Sequence, residues 1–468
     1  MLMNNEITIH NIQDVFFRME EEENLFSLQM SDGVYYWDIV RRQIFLSLHT
    51  MHGGPFAEPE SLPAPTLRSN AKDLLKPVLN WITRQYLVFK APKYIFLTIQ
   101  RTRRESCLFD NYSDHLYDLV SEEAVAIELM NKEAISYRKI LSGQKTRIPS
   151  VAVGRLHNKK ELSQIVVTIE TIILKHFGVR IDALRLIEVP IHTFRENRNY
   201  YRKLFAKFRP KVIICINSGF FCGMFSAARE MQVPTIELQH GASSFRTIFW
   251  SYPKSIPASH PGLSLPTAYL TYSDFWNRNT HYPVRYSNSI GSDYFYQKPI
   301  AGNDNGVLIV SSYMYRESLL SLALDLADLD KEKNIYFKLH PHEFNQKDAV
   351  VAACGGKENI IVVCGEIEFP ELFKLCNYVV GVHSTTLYIA LQARKKVCLF
   401  KRANYFWHDD IFDHVELFDS ANELYNILRS PRGAYFKKLD STPDFFQPFD
   451  AQRFMHRLDD ICYISKQH

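Results

Sequence analysis

Short, almost wholly apolar runs that alternate with helical patterns constrain this chain's fold more than any other feature. Lys211–Ile216, Val233–Glu237, Ala268–Thr271, Val307–Val310, Ile360–Val363, Tyr378–Val380 and Lys396–Phe400 are each a few residues long. They are too short for helices. Most lack the in-out alternation of a half-exposed sheet, so they read as strands covered on both faces. Apolar residues at helical spacing separate them, as in Lys160–His176, Phe220–Met231, Glu317–Leu329, Glu371–Cys376 and Thr385–Arg394. Regular β–α alternation with short connections predicts parallel, doubly wound α/β sheets. A chain of 468 residues exceeds what one core normally holds, so two such sheets are expected.

The division follows from the breaks. Residues 1–90 form a helical extension with one clear helical pattern, Gly33–Phe45, and a proline-rich connector from Gly53 to Pro65. Residues 91–290 hold the first Rossmann-like domain. It opens on strands Tyr94–Ile99 and Ala124–Leu129, carries helices at Ile181–Ile187 and Phe194–Phe208, and ends on Ala268–Thr271. Gly291 to Gly306, with Pro299 and Gly302, suits a linker. Residues 306–435 form the second Rossmann-like domain. In the tail, 436–468, the stretch Ala451–Ser465 looks helical and is placed back against the first domain.

Composition excludes several classes. With 46% hydrophobic and 23% charged residues the chain is globular, and a formal charge of +4 is too small for a nucleic-acid binder. None of the eight cysteines forms a C-x-x-C pair, which fits reduced, buried thiols in a cytoplasmic protein and no structural zinc. The first residues lack the basic and then apolar character of a secretory leader, and no run reaches ~18 apolar residues. From Arg68 to Arg104 nine basic residues face one acid, Asp73, with Trp81, Tyr86 and Phe89 interleaved. That pattern is either a solvated helix face or a peripheral contact with the cytoplasmic face of an anionic inner membrane.

Three polar clusters follow three strands: Gln239-His240-Gly241, Lys338-Leu339-His340-Pro341-His342 and Val382-His383-Ser384-Thr385-Thr386. Ligands of open parallel sheets bind beyond the carboxyl ends of the strands, so these clusters point to one cleft built from both domains. Ser384 or Thr385 caps the helix that follows, presenting its amino-terminal N–H groups where a phosphate could sit, although such caps also occur without any ligand. Pro341 holds His340 extended, aiming its imidazole out of the sheet beside Lys338. Gly241 permits a sharp turn, and His240 has the pKa range of a general base for a sugar hydroxyl. Asp110 and Asp114 are reserve candidates for that base. Two histidines one residue apart could ligate a metal, but only Glu343 stands near them, so metal-independent chemistry without a cofactor is expected.

The order Gln-His-Gly, Lys-x-His-Pro and Ser-Thr-Thr resembles bacterial surface-polysaccharide transferases of the GT-B fold. The similar groups are the CDP-glycerol glycerophosphotransferases, Kdo transferases and His-Pro-motif sialyltransferases, and the resemblance covers roughly residues 205–402. It implies two doubly wound domains facing a cleft. It also implies catalytic roles for His240 and His340, and donor phosphates held by His340, Lys338, Ser384, Thr385 and Thr386, with Gln239, Gly241, Pro341, His342 and His383 in support. The implied partners are a nucleotide-sugar donor, CMP- or UDP-linked, and a lipid-linked or oligosaccharide acceptor of a capsule or lipopolysaccharide. Transfer of glycerol phosphate or polyol phosphate on the same fold, or non-catalytic glycan binding, are the alternatives. The chain departs from the glycerophosphotransferase pattern in having Val382-His383-Ser384-Thr385 where that group has Asp-Tyr-Ser-Ser. It also lacks the acidic base motif of the sialyltransferases, for which Asp32-Gly33 is a poor substitute.

Overall fold

The computed structural model describes residues 7–8, 10–54, 91–98, 102–104, 107–128, 140–142, 159–216, 219, 221–401, 409–430 and 441–464. The proline-rich connector and most of the basic stretch 68–104 lie outside the described residues.

The first sheet holds β1 (Tyr94–Thr98), β4 (Ala124–Glu128), β5 (Ile140–Ser142), β6 (Val212–Ile216), β7 (Thr235–Leu238), β8 (Ala268–Thr271) and β9 (Tyr286–Ser289). Their order is β5-β4-β1-β6-β7-β8-β9, and every pairing is parallel. A small antiparallel pair, β2 (Thr102–Arg104) and β3 (Cys107–Phe109), follows β1. The second sheet holds β10 (Gly306–Val310), β11 (Asn334–Lys338), β12 (Ile360–Val363), β13 (Tyr378–Gly381), β14 (Lys396–Phe400) and β15 (Glu416–Phe418). Its order, β12-β11-β10-β13-β14-β15, is again parallel throughout. Both sheets reverse winding direction beside their first strand, between β1 and β6 and between β10 and β13. Such switch points open the crevices in which this architecture binds ligands. Two doubly wound domains face each other across a cleft, the GT-B arrangement.

Apolar burial explains the layers. β1, β6 and β10 are buried at every position, as their unbroken apolar sequences require. The helices before the second domain are α1 (Ile12–Glu22), α2 (Trp37–Met51), α3 (Asp114–Leu119), α4 (Lys159–Phe177), α5 (Ala183–Phe208), α6 (Cys222–Glu230) and α7 (Asp274–Arg278). α5 and α6 cover one face of the first sheet through Tyr201, Phe205, Met224 and Phe225. On the outer side of that layer α1 and α2 share a second core with α4, the start of α5 and the long loop after β7, represented by Ile248, Trp250 and Tyr252.

The second domain carries α8 (Arg316–Leu329), α9 (Lys347–Ala353), α10 (Phe369–Leu375), α11 (Thr385–Gln392) and α12 (Ala421–Arg429), and the tail ends in α13 (Ala451–Ile464). α13 packs Phe454, Leu458 and Ile461 on the other face of the first sheet, against Phe96, Ile214 and Leu238. Before it, residues 441–450 cross from one domain to the other. Ser273 Oγ and Trp276 Nε1 donate to the Phe445 carbonyl at 2.9 and 2.6 Å, and the Phe445 N–H donates to Gln392 Oε1 at 3.1 Å. Phe445 and Phe446 thereby join Trp276 and Tyr388 in one aromatic cluster that spans the two domains.

Two differences between the pattern and the structure bear on the layers. The helices expected at 181–187 and 194–208 are one continuous helix with Pro190 inside it, because Ile187, Ile191 and Phe194 carry the buried stripe across the proline. The first sheet also continues past Ala268–Thr271 into β9, whose sequence Tyr-Ser-Asn-Ser is too polar to register as a strand. Among the described residues no helix is long and apolar enough to cross a membrane.

Candidate functional site: the interdomain cleft

The three histidine-bearing strand ends line one cavity of about 840 Å³ between the domains. From the first domain come His240, Gly241, Ala242, Thr247, Phe249 and Trp250, and from the second Lys338, His340, Pro341, His383, Ser384, Thr385 and Thr386. The two sets touch. The Ala242 backbone N–H donates to Thr385 Oγ1 at 2.9 Å, across the domain boundary. Gly241 has φ +151, and a Cβ there would lie 3.3 Å from the same Thr385 oxygen, so this turn favours glycine both for its conformation and for its close approach.

The His240 turn is held from beneath. Gln239 is buried; its amide nitrogen donates to the Gly241 carbonyl at 2.8 Å and to Ser243 Oγ at 3.0 Å, and its amide oxygen accepts from Tyr272 N–H at 2.9 Å. The His240 ring sits between aromatic neighbours, edge-on to Tyr112 at 6.0 Å and tilted against Trp250 at 5.4 Å. Trp250 is fixed in turn by Glu237, fully buried on β7, which accepts from the indole Nε1 at 3.2 Å and from Tyr282 Oη at 2.8 Å.

His340 is extended at φ −67°, ψ 147°, as Pro341 dictates. Its Nδ1 accepts from the His342 N–H at 3.2 Å, and its own N–H donates to Glu343 Oε2 at 2.8 Å, forming a reciprocal cap. With Nδ1 serving as acceptor, the ring proton is assigned to Nε2. Glu343 is buried in this capping role. His342 is exposed, its ring 5.1 Å from that of His340, and it does not line the cavity. Lys338 does line it, but its ammonium donates to the Cys364 carbonyl and, at 3.4 Å, to the Ile367 carbonyl, so it braces the loop after β12.

Ser384 caps α11, its Oγ accepting from the Thr386 N–H at 3.1 Å. The helix amino terminus therefore faces the cavity with three hydroxyls around it. His383 lies beside them, and burial followed by the nearby His340 imidazole pushes its pKa down to about 4. It is a neutral imidazole at physiological pH. Asp110 and Asp114 are buried in the turn after β3, where the Asp110 N–H donates to Asp114 Oδ2 at 3.1 Å and Asp110 Oδ1 accepts from the Tyr112 N–H at 2.9 Å. Neither lines the cavity; they shape the loop that lays Tyr112 against His240. Among the described residues no group of three or more histidine, cysteine, aspartate or glutamate side chains is arranged to hold a metal ion.

Sequence reasoning missed part of the wall. Thr247, Phe249 and Trp250 belong to a long loop without periodicity, where only the Phe-Trp pair hints at a surface for a ring-shaped ligand. Arg42 reaches the same wall from α2, far away in sequence. Glu368 and Phe369, at the start of α10, also line the cavity.

No family model matches the chain, and no curated protein matches it by sequence. Among solved structures the chain is similar to MurG of Acinetobacter baumannii, at 9% identity over 79% of this chain and 100% of that one, with a TM-score of 0.46. It is also similar to UDP-GlcNAc 2-epimerase of Neisseria meningitidis bound to UDP-GlcNAc, at 9% identity over 78% and 98% of the two chains and a TM-score of 0.44. Anabaena HepE in complex with UDP gives 10% identity over 79% and 100%, with a TM-score of 0.42.

Proposed function

We propose that the protein is a metal-independent glycosyltransferase that moves a sugar from a nucleotide-activated donor, CMP- or UDP-linked, to a hydroxyl of a growing surface glycan. The observation that carries this reading is the hydrogen bond from Ala242 to Thr385 Oγ1, which sets the His240 turn directly against the hydroxyl-ringed terminus of α11. The donor's phosphates lie at that terminus, receiving hydrogen bonds from Ser384, Thr385, Thr386 and the His340 Nε2–H. Those donors stabilise negative charge as it develops on the leaving phosphate. The nucleoside extends along the second domain towards Phe369. The acceptor enters against Trp250, and His240 takes the proton of its attacking hydroxyl. The neutral His383 adds a hydrogen-bonding group without adding charge.

The acceptor is lipid-linked or an oligosaccharide of capsule or lipopolysaccharide type, and the basic stretch 68–104 gives the protein weak peripheral contact with the cytoplasmic face of the membrane. Both follow from the sequence resemblance and the charge pattern. Liposome flotation tests the second: binding should rise with anionic lipid content, and binding indifferent to it removes the proposed contact.

The deciding experiment replaces His240 by alanine. Transfer should fall by about 10²- to 10⁴-fold, while thermal stabilisation by the preferred member of a CMP, CDP, UDP and GDP panel persists. Unchanged turnover eliminates His240 as the base. No stabilisation of the native protein by any of these nucleotides favours a non-catalytic glycan binder. The mass of the product separates sugar transfer from transfer of a phosphoryl-polyol group, because only the latter adds phosphorus.

A further inference from the structure

Arg41 and Arg42 are neighbours on α2 with opposite fates. Arg41 turns inward and grips buried Glu20 through two hydrogen bonds of 2.7 and 3.0 Å. Arg42 turns towards the cleft, its guanidinium carbon 3.7 Å from the centroid of the Phe249 ring. On its other side is Gly219, just beyond β6, where an added Cβ would come 2.0 Å from Arg42 Nη1. A side chain at position 219 would have to displace the guanidinium. The cation is thus seated between an aromatic face and a glycine, above the carboxyl end of β6, the sheet neighbour of the strand that carries His240.

We propose that this seat is the anion-recognising part of the acceptor site, so that the sugar chain extended by this protein carries a carboxylate or phosphate that pairs with Arg42. The proposal rests on the transferase reading and deepens it by naming the acceptor's chemical class. Among the described residues that line the cavity from outside the second domain, Arg42 alone bears a permanent charge; its companions are aromatic, hydroxyl-bearing or small, apart from His240. Ring contacts run continuously from it to the proposed base: Phe249 to Trp250 at 6.0 Å, then Trp250 to His240 at 5.4 Å. A sugar chain laid along that wall would meet His240 at one end and present an acidic substituent to Arg42 at the other. A planar guanidinium stacked on an aromatic ring suits a two-pronged grip on carboxylate or phosphate. Burial lowers its pKa to about 10, which leaves it cationic at neutral pH. The groups proposed for the donor phosphates belong to the other domain.

The test uses the full chain and three probes, methyl β-glucuronide, glucose 6-phosphate and methyl β-glucoside, with binding followed by ligand-observed NMR. The native protein should bind one anionic probe roughly tenfold more tightly than the neutral glucoside. Whether glucuronide or phosphate wins identifies the anion. Arg42→Gln should abolish that preference. Gly219→Ala keeps the charge but moves the guanidinium, and should weaken the same preference. In both variants, stabilisation by UDP or CMP should match the native protein. Equal binding of charged and neutral probes by the native protein overturns the proposal. So does a loss of nucleotide stabilisation in Arg42→Gln, which would move the arginine to the donor site. If no nucleotide stabilises the native protein, the transferase reading fails separately, while the probe preference still reports on Arg42.

Discussion

The two imidazoles that the second domain contributes to the cavity are tuned differently by their neighbours. His340 has its Nδ1 occupied by the His342 N–H, which assigns its proton to Nε2. His383 is held neutral by burial and by His340. The second effect has a measurable consequence for stability. The pKa of His383 falls from an ordinary 6.5 to about 4 on folding, so between those values the unfolded chain binds a proton that the folded chain refuses. Stability is therefore fully present above pH 6.5 and declines as pH drops towards 4. His49, buried in the α2 core and also pushed down to about 4, adds to the same slope. Urea midpoints measured across this range should fall with pH, and His383→Asn should show a shallower fall than the native protein. An identical slope would mean that His383 is not protected from protonation. At this scale the sequence showed the Gln-His-Gly, His-Pro and Ser-Thr-Thr residues because each lies directly after an apolar strand. It could not show that Lys338 turns to carbonyls of the loop after β12, since that depends on where the following loop returns.

Among the elements, α2 has the widest influence. Through Arg41 it holds Glu20 and the carbonyls of Ile248 and Ser251. Through Asp38 it receives Tyr252 Oη at 2.9 Å and the Ser264 N–H at 2.6 Å. The irregular loop that carries Phe249 and Trp250 is thereby fastened to a helix outside the sheet. Arg41→Leu leaves the Glu20 carboxylate buried beside Trp37 with its cation gone, and should cost about 3–5 kcal/mol in a denaturant titration. A loss below ~1 kcal/mol would mean that Glu20 simply takes up a proton in the variant. The helical pattern of α2 was legible from Gly33 to Phe45; its reach to the cleft was not, because nothing local marks which loop a surface helix will grip. β9 escaped notice for a related reason. As an edge strand it is only partly buried, and it carries no apolar run.

For the whole molecule, the GT-B arrangement followed from β–α alternation and motif order, while the joint between the domains did not. Trp276 and Phe445 meet although 169 positions separate them, and no periodicity links such residues. The joint has a tight point. Gly291 has φ +82, and a Cβ there would fall 2.0 Å from the Pro448 carbonyl oxygen. Gly291→Ala combines an unfavourable backbone with a collision against the crossing segment. It should lower stability by more than about 1 kcal/mol, read as a shift in the urea midpoint. A variant as stable as the native chain would show that residues 441–450 can move aside.

The placement of α13 also orders events at the ribosome. One face of the first sheet has only the partial cover of Leu116 and Tyr117 from α3 until Phe454, Leu458 and Ile461 emerge, after every described strand of both domains has been made. The earlier-synthesised half must therefore wait for the later one to complete its cover, leaving Ile214 and Leu238 more open to chaperones meanwhile. Nascent chains stalled before residue 451 should be attacked by protease in the first domain sooner than in the second.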